Sequence, residues 1–211
     1  LIEKGADINA VDNYRNTPLF SAIEKDNKEV VEALISKGAE INIYNGAWFT
    51  PLANAAFYNS KNVIQLLIDN GAEIEKGHSY FNSAYTPLLV ACSKNSKEAL
   101  EILIKNGASL DARGKEGVTP LMFAAAGNGV EVMKILLETD PKMDIDASSD
   151  STYNALLYAV ISDAKNAVEF LISKGADMEY ENGSGKTALM LATSKNKKEI
   201  ANLFLNCQIK S

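Results

Sequence analysis

The segment "TPLFSAI" at residues 17–23 decides the fold, because the chain repeats it. Its copies are "TPLANAA" at 50–56, "TPLLVAC" at 86–92, "TPLMFAA" at 119–125 and two weaker ones, "NALLYAV" at 154–160 and "TALMLAT" at 187–193. Successive copies begin 33, 36, 33, 35 and 33 residues apart. A fixed period of this length predicts a solenoid, in which each unit buries its apolar face only against its neighbours.

A second motif keeps the same period. Its copies are "KGADIN" at 4–9, "KGAEIN" at 37–42, "NGAEIE" at 70–75, "NGASLD" at 106–111 and "KGADME" at 174–179. Apolar residues at helical spacing, such as Val63, Ile64 and Leu67, lie between the two motifs. Thr-Pro is typical of a helix start, since Thr caps the helix and Pro lacks an N–H that would have no helical partner. The Gly suits the left-handed residue that ends a helix.

Together these motifs resemble the ankyrin repeat, over essentially the whole chain. The resemblance implies an all-α fold, an α-solenoid of stacked helix-turn-helix repeats with β-hairpin or loop fingers, curved like a cupped hand. We therefore predict a single ankyrin repeat domain over residues 1–211. Residues 1–11 are expected to be the tail of a truncated repeat, which makes the chain a fragment of a longer protein. The full repeats are predicted at about 12–44, 45–80, 81–113, 114–148, 149–181 and 182–211.

The chain departs from the family pattern at two places in every repeat. Ankyrin repeats often have His after the TPL motif, and here the place is apolar: Phe20, Ala53, Leu89, Met122, Leu157 and Met190. The family usually has Gly between its two helices, and here an acid or amide replaces it: Asp26, Asn59, Asn95, Asn128, Asp163 and Asn196. Asn and Asp are the non-Gly residues that best tolerate the left-handed conformation, so we expect the turn to persist.

The composition of the chain argues against a nucleic-acid partner and against a membrane span. The net charge of −6 and pI of about 5.0 argue against a nucleic-acid partner, which needs clustered Lys and Arg. No apolar run approaches 18 residues, so no membrane span is predicted. Cys92 and Cys207 are expected to be unpaired thiols in a reducing compartment. We predict a cytoplasmic chain that is monomeric by itself; an exported protein whose N-terminus is missing is the alternative.

Three features of the sequence suggest a chemical function, and each lacks residues that the function requires. "GSGKT" at 183–187 resembles the end of a phosphate-binding loop, but Tyr180 stands where the first Gly is needed. The carboxylates of "DIDASSD" at 144–150 lack the Gly and Glu of a calcium loop. His78, the only histidine, has no second metal ligand or catalytic partner near it in sequence. The sequence therefore predicts no enzyme, no metal site and no cofactor.

The aromatic residues point to a different function. The resemblance places the finger tips and the ends of the first helices on the concave face, where partners bind. Nine aromatic residues of the first half lie on fingers or helix ends: Tyr14, Tyr44, Trp48, Phe49, Phe57, Tyr58, Tyr80, Phe81 and Tyr85. Aromatic residues anchor protein interfaces. We therefore predict a non-catalytic protein–protein interaction module, with an aromatic-rich recognition surface over residues 14–85 that binds another protein.

Four alternatives stay open at this point. Tyr14 could belong to a seam at which upstream repeats cover the truncated one. The rings could pack finger against finger instead of meeting a partner. The chain could be a regulatory or targeting segment of a larger multidomain protein. It could also be a secreted effector that binds a host protein.

Overall fold

The computed structural model describes residues 6–77 and 85–208. This part of the chain divides into two compact units. The first contains the described residues up to Ala91 together with Ser96–Leu110, and the second contains Cys92–Asn95 and the described residues from Asp111 onward. The described residues form helices and turns and contain no β-strand. The predicted all-α repeat solenoid is confirmed, while the described fingers are turns rather than paired strands.

The first unit is built from consecutive helix pairs. The helices are α1 (Pro18–Glu24), α2 (Lys28–Ser36), α3 (Pro51–Tyr58), α4 (Lys61–Asp69), α5 (Pro87–Lys94, of which residues 87–91 belong here) and α6 (Lys97–Lys105). Helix α1 packs against α2 and α3, and α4 packs against α2, α3 and α6. Leu19, Phe20 and Ile23 of α1 are fully buried between these layers. Each helix pair thus buries its apolar face against the next pair, as the period predicts.

The second unit continues the pattern. A 3-10 turn (Lys115–Gly117) precedes α7 (Pro120–Ala126), α8 (Val130–Thr139), α9 (Ala155–Ile161), α10 (Lys165–Ser173), α11 (Ala188–Ser194) and α12 (Lys198–Gln208). Helix α9 packs against α7, α10 and α11, while α12 packs against α10 and α11.

Most first helices of the repeats begin with the predicted side-chain cap. Thr50 Oγ1 accepts a hydrogen bond from Ala53 N at 3.1 Å, and Thr119 Oγ1 accepts one from Met122 N at 3.2 Å. Thr17 is the exception. Its side chain makes no capping bond, and its buried Oγ1 has no hydrogen-bond partner among the described residues. The expectation that every Thr of a TPL motif caps its helix is therefore wrong for α1.

The Asn and Asp residues between paired helices adopt the predicted left-handed turn. All six have φ between 49° and 61°: Asp26, Asn59, Asn95, Asn128, Asp163 and Asn196. The left-handed conformation disfavours most side chains but is tolerated by these two residue types. The departure from the family's Gly therefore keeps the same backbone.

Three of these side chains also cap a helix of the following repeat. Asn59 Oδ1 accepts a hydrogen bond from Ala99 N at 3.0 Å, in the first turn of α6. Asn128 Oδ1 accepts one from Ala167 N at 2.9 Å, in the first turn of α10. Asp26 bonds the first turn of α4 in the same way. A glycine at these positions would form the turn but could not satisfy the free N–H groups of the next helix.

Candidate functional site

A cleft of about 700 Å³ opens in the first unit. Its walls come from two neighbouring fingers and from the C-terminal ends of α1 and α3. Four of the predicted aromatic residues line it: Tyr14, Phe49, Phe57 and Tyr58. We call this feature the aromatic cleft. Arg15 and Glu24 are the two charged residues among those that line it.

Hydrogen bonds fix the second finger on the first. Asn45 N donates to Phe49 O at 3.0 Å and closes the turn, in which Trp48 is left-handed with φ of 63°. Gly46 N donates to Tyr14 O at 2.8 Å. A Cβ at position 46 would lie 2.4 Å from that oxygen, so only Gly permits the approach. The "NG" pair therefore sets the distance between the two fingers that form one wall of the cleft.

The aromatic wall joins a finger to a helix end. The ring centroids of Phe49 and Phe57 are 5.5 Å apart, and those of Phe57 and Tyr58 are 5.0 Å apart at an interplanar angle of 64°. These separations are within the range of favourable aromatic pairs. Phe49 directly precedes the capping Thr50, and Phe57 and Tyr58 are the last residues of α3. Tyr14, on the first finger, is 76% exposed.

Negative charge lies beside the rings. Tyr58 Oη donates a hydrogen bond to Glu24 Oε1 at 3.3 Å. Glu24 forms no ion pair with any described residue. Burial, followed by the nearby Glu24 carboxylate, raises the pKa of Tyr58 above its ordinary value of 10.0. The carboxylate is thus near the aromatic wall without a cation to neutralise it.

Asn54 adds an unpaired donor to the lining. The residue is 3% exposed, and its Nδ2 has no hydrogen-bond partner within the described chain. A buried amide donor in this state is uncommon and costs free energy. Asn54 is not among the site residues predicted from the sequence. Comparing the six motif copies would have found it, since the other residues at this place are not amides: Ser21, Val90, Phe123, Tyr158 and Leu191.

The other predicted site residues lie outside the cleft lining. Trp48 is 48% exposed on the second finger, and Tyr85 is 39% exposed. Tyr44 is half-buried, and its Oη donates to the main-chain oxygen of Gly77 at 3.1 Å. The structure therefore brings together four of the nine predicted residues. The remaining two lie outside the described residues: Tyr80 and Phe81.

The segments that raised chemical hypotheses have structural roles. Thr187 of "GSGKT" caps α11, with its Oγ1 accepting from Met190 N at 3.4 Å. Asp146 accepts hydrogen bonds from Asp177 N and from the side chain of Asn154. Among the described residues no group of His, Cys, Asp and Glu is arranged to hold a metal ion. His78 lies outside them.

Two further expectations concern the cysteines and the membrane. Cys92 and Cys207 are both free thiols, and burial raises the pKa of Cys92. In the part of the chain that the structure describes, every helix is too short or too polar to cross a bilayer.

Comparison with known families gives the same fold as the geometry. One family model, described as ankyrin repeats in three copies, matches residues 44–114, 111–182 and 141–211. Another, described as ankyrin repeats in many copies, matches residues 1–35 and 19–68. The chain belongs to the ankyrin repeat family. Ankyrin repeats are generally protein-interaction modules, and the family is typically non-catalytic.

A solved structure agrees. The ankyrin repeat domain of human ASB11 superposes with a TM-score of 0.77 at 26% sequence identity, covering 90% of this chain and 83% of that one. The comparison with curated proteins finds no match.

Proposed function

We propose that this ankyrin repeat chain is a non-catalytic recognition module that binds another protein through the aromatic cleft. The observation that carries the proposal is the exposure of rings in a preformed cleft. Tyr14 and Tyr58 are 76% and 47% exposed, and Phe49 and Phe57 are half-buried against each other. The module is proposed to act as a monomer in the cytoplasm.

Two physical arguments support the cleft as the binding surface. Aromatic residues in a central pocket are the usual anchors of protein interfaces. Each buries about 150–250 Å², so four of them cover roughly 800 Å², which is one side of an interface of standard size. The finger hydrogen bonds and the end of α3 hold these rings before any partner arrives. A preformed surface loses little conformational entropy on binding.

Partner capture with matched variants tests the proposal. The chain, a Tyr14→Ala/Tyr58→Ala variant and a Tyr153→Ala/Tyr158→Ala control are immobilised and exposed to lysate of the source cells. The control removes a tyrosine pair from the second unit, where the rings are 5.9 Å apart. Circular dichroism first verifies that all three chains are folded.

We expect the chain and the control to retain a common protein that the cleft variant binds at least about tenfold more weakly, since interface anchors contribute 1–2 kcal/mol or more each. Equal retention by the cleft variant would show that the partner binds elsewhere.

A further inference from the structure

We propose that the aromatic cleft receives a cationic side chain, lysine or arginine, from an extended segment of the partner, and that Asn54 donates a hydrogen bond to a main-chain carbonyl of that segment. The inference rests on the proposed function of the cleft as a protein-binding site. It goes further by naming the chemistry of the group that is bound.

The cleft offers two features that attract a cation. The faces of its four aromatic rings carry negative electrostatic potential, which favours an ammonium or guanidinium group. The Glu24 carboxylate accepts a hydrogen bond from Tyr58 and has no ion-pair partner among the described residues. A cationic side chain entering along the rings would meet that carboxylate at the end of α1. The chain's net charge of −6 also favours the approach of a basic segment.

Arg15 is the one positively charged residue among those that line the cleft. It occupies the left-handed position of the first finger, with φ of 58°, and is solvent-exposed. Glu24 is exposed as well, so both charges are hydrated; what distinguishes Glu24 is its hydrogen bond to Tyr58 of the aromatic wall. The apolar stem of a bound side chain would lie against the rings. An acidic segment would gain Arg15 but would meet the ring faces and Glu24 with like-signed potential. A preference of the cleft for an acidic segment would therefore contradict the proposal.

Asn54 identifies the form of the ligand. Its Nδ2 is a buried donor that lacks an acceptor within the described residues, and every residue of a peptide supplies a main-chain carbonyl. Recognition through the main chain suits an extended segment, whose side chains alternate and leave carbonyls accessible. Leucine stands at the same place in the last repeat, as Leu191, so an apolar residue fits this position of the fold.

Three peptides of one design measure the preference. The ¹⁵N-labelled chain is titrated with Ac-Gly-Gly-X-Gly-Gly-NH₂, in which X is lysine, norleucine or glutamate. Amide resonances of Gly46 and Tyr58 and the side-chain NH₂ resonances of Asn54 report on the cleft. We expect the lysine peptide to bind with a Kd about threefold lower than the norleucine peptide, with the glutamate peptide weakest. The Asn54 side-chain resonances should shift with the lysine peptide.

Two variants separate the contribution of the Glu24 charge to peptide binding from that of the Asn54 side-chain amide. Glu24→Gln should reduce the preference for lysine over norleucine to what the rings alone provide. Glu101→Gln, which removes an exposed acid of α6 outside the cleft, should leave the preference intact. Asn54→Leu should weaken all peptides alike by about fivefold, because it removes the hydrogen bond to the main chain. Asn54→Leu should also raise the thermal midpoint of unfolding, since it removes a buried donor without a partner. That rise shows that the weaker binding is not a folding defect.

Several results would overturn the inference. Equal Kd values for lysine and norleucine in the unmodified chain, a preference for glutamate, or cleft resonances that no peptide shifts would each do so. Capture of the cellular partner separates this inference from the proposed function. A partner that is lost by Tyr14→Ala/Tyr58→Ala yet fully retained by Glu24→Gln would end the cation hypothesis and leave the cleft as the binding surface. A partner retained by both variants would end the proposed function itself.

Discussion

The two units share one helical plan and use their aromatic residues differently. In the first unit, Phe57 and Tyr58 end α3 and line an open cleft. In the second unit, aromatic side chains lie against their own repeats. A Cβ at Gly114 would lie 2.7 Å from the Phe123 ring, and Tyr180 Oη donates to a main-chain oxygen at 3.3 Å. The period thus specifies a common scaffold, while the residues between the periodic positions decide which part of it presents an open aromatic cleft.

The scaffold itself can be tested first, because both units use the same cross-repeat cap. Asn59→Ala and Asn128→Ala should each lower the free energy of unfolding by about 2 kcal/mol. About 1 kcal/mol comes from the lost cap of the next helix, and about 1 kcal/mol from placing Ala in a left-handed turn. Asn59→Gly and Asn128→Gly should cost only the cap, since Gly is unstrained there. Urea denaturation followed by circular dichroism measures all four.

At both sites we expect the Gly variant to be less stable than the unmodified chain and more stable than the Ala variant. A large loss at Asn59 with none at Asn128 would show that this cap stabilises the first unit and not the second. Equal losses for Ala and Gly at either site would show that the left-handed turn contributes nothing there.

The finger turns of both units place a left-handed residue two positions before the helix cap. In the first unit this residue is Arg15 or Trp48, with φ of 58° and 63°. In the second unit it is Gly117, Thr152 or Gly185, with φ of 70°, 61° and 67°. We expect Trp48→Gly to be more stable than Trp48→Ala by about 1 kcal/mol, because both lack the ring and only Ala has a Cβ in the left-handed region. Thermal and urea unfolding of the two variants measure the difference.

The reciprocal change provides the control. Gly185→Ala should lower the stability by about the same 1 kcal/mol, since it introduces the same strain in a finger of the second unit. Equal stability of Trp48→Gly and Trp48→Ala would mean that the finger relaxes out of the left-handed conformation when the ring is removed.

The features of the fold that depend on short motifs could be predicted from the sequence. Thr50 and Thr119 start helices as Thr-Pro predicts, and the six Asn and Asp turns are left-handed as their residue types predict. The absence of a cap at Thr17 could not be predicted, because its motif is the same as that of Thr50. The cross-repeat caps were also missed, since they join residues 36 to 40 positions apart and depend on how helices stack.

Part of the aromatic cleft could also be predicted from the sequence. The period places finger beside finger, which explains why Tyr14 and Phe49 lie in one cleft. The pairing of Glu24 with Tyr58 spans 34 residues and depends on the orientation of two side chains at helix ends. The burial of Asn54 depends on what packs around α3. No local pattern contains either fact, and both bear on the ligand that the cleft would accept.

The smallest expected effect concerns the titration of Tyr58, which reports on the charge of the cleft. Burial is the larger cause of its raised pKa and Glu24 is the second. Glu24→Gln should therefore lower the pKa of Tyr58 toward 10.0 without reaching it. The raised pKa means that the folded state favours the neutral phenol of Tyr58. As the pH rises above 10.0, Tyr58 ionises first in the unfolded chain, so the free energy of unfolding decreases. NMR titration of ¹³C-labelled tyrosine follows this one ring.

Glu29→Gln, which removes an exposed acid from α2 in the same unit, should leave the titration of Tyr58 unchanged. A saturating lysine peptide should lower the pKa of Tyr58 in the unmodified chain, because a cation near the phenol stabilises the phenolate. The norleucine peptide has no charge to exert that effect, and further burial of the ring should move the pKa upward. The opposite directions expected for two peptides of nearly equal size make this titration a direct test of whether the aromatic cleft binds the positive charge of the lysine peptide beside Tyr58.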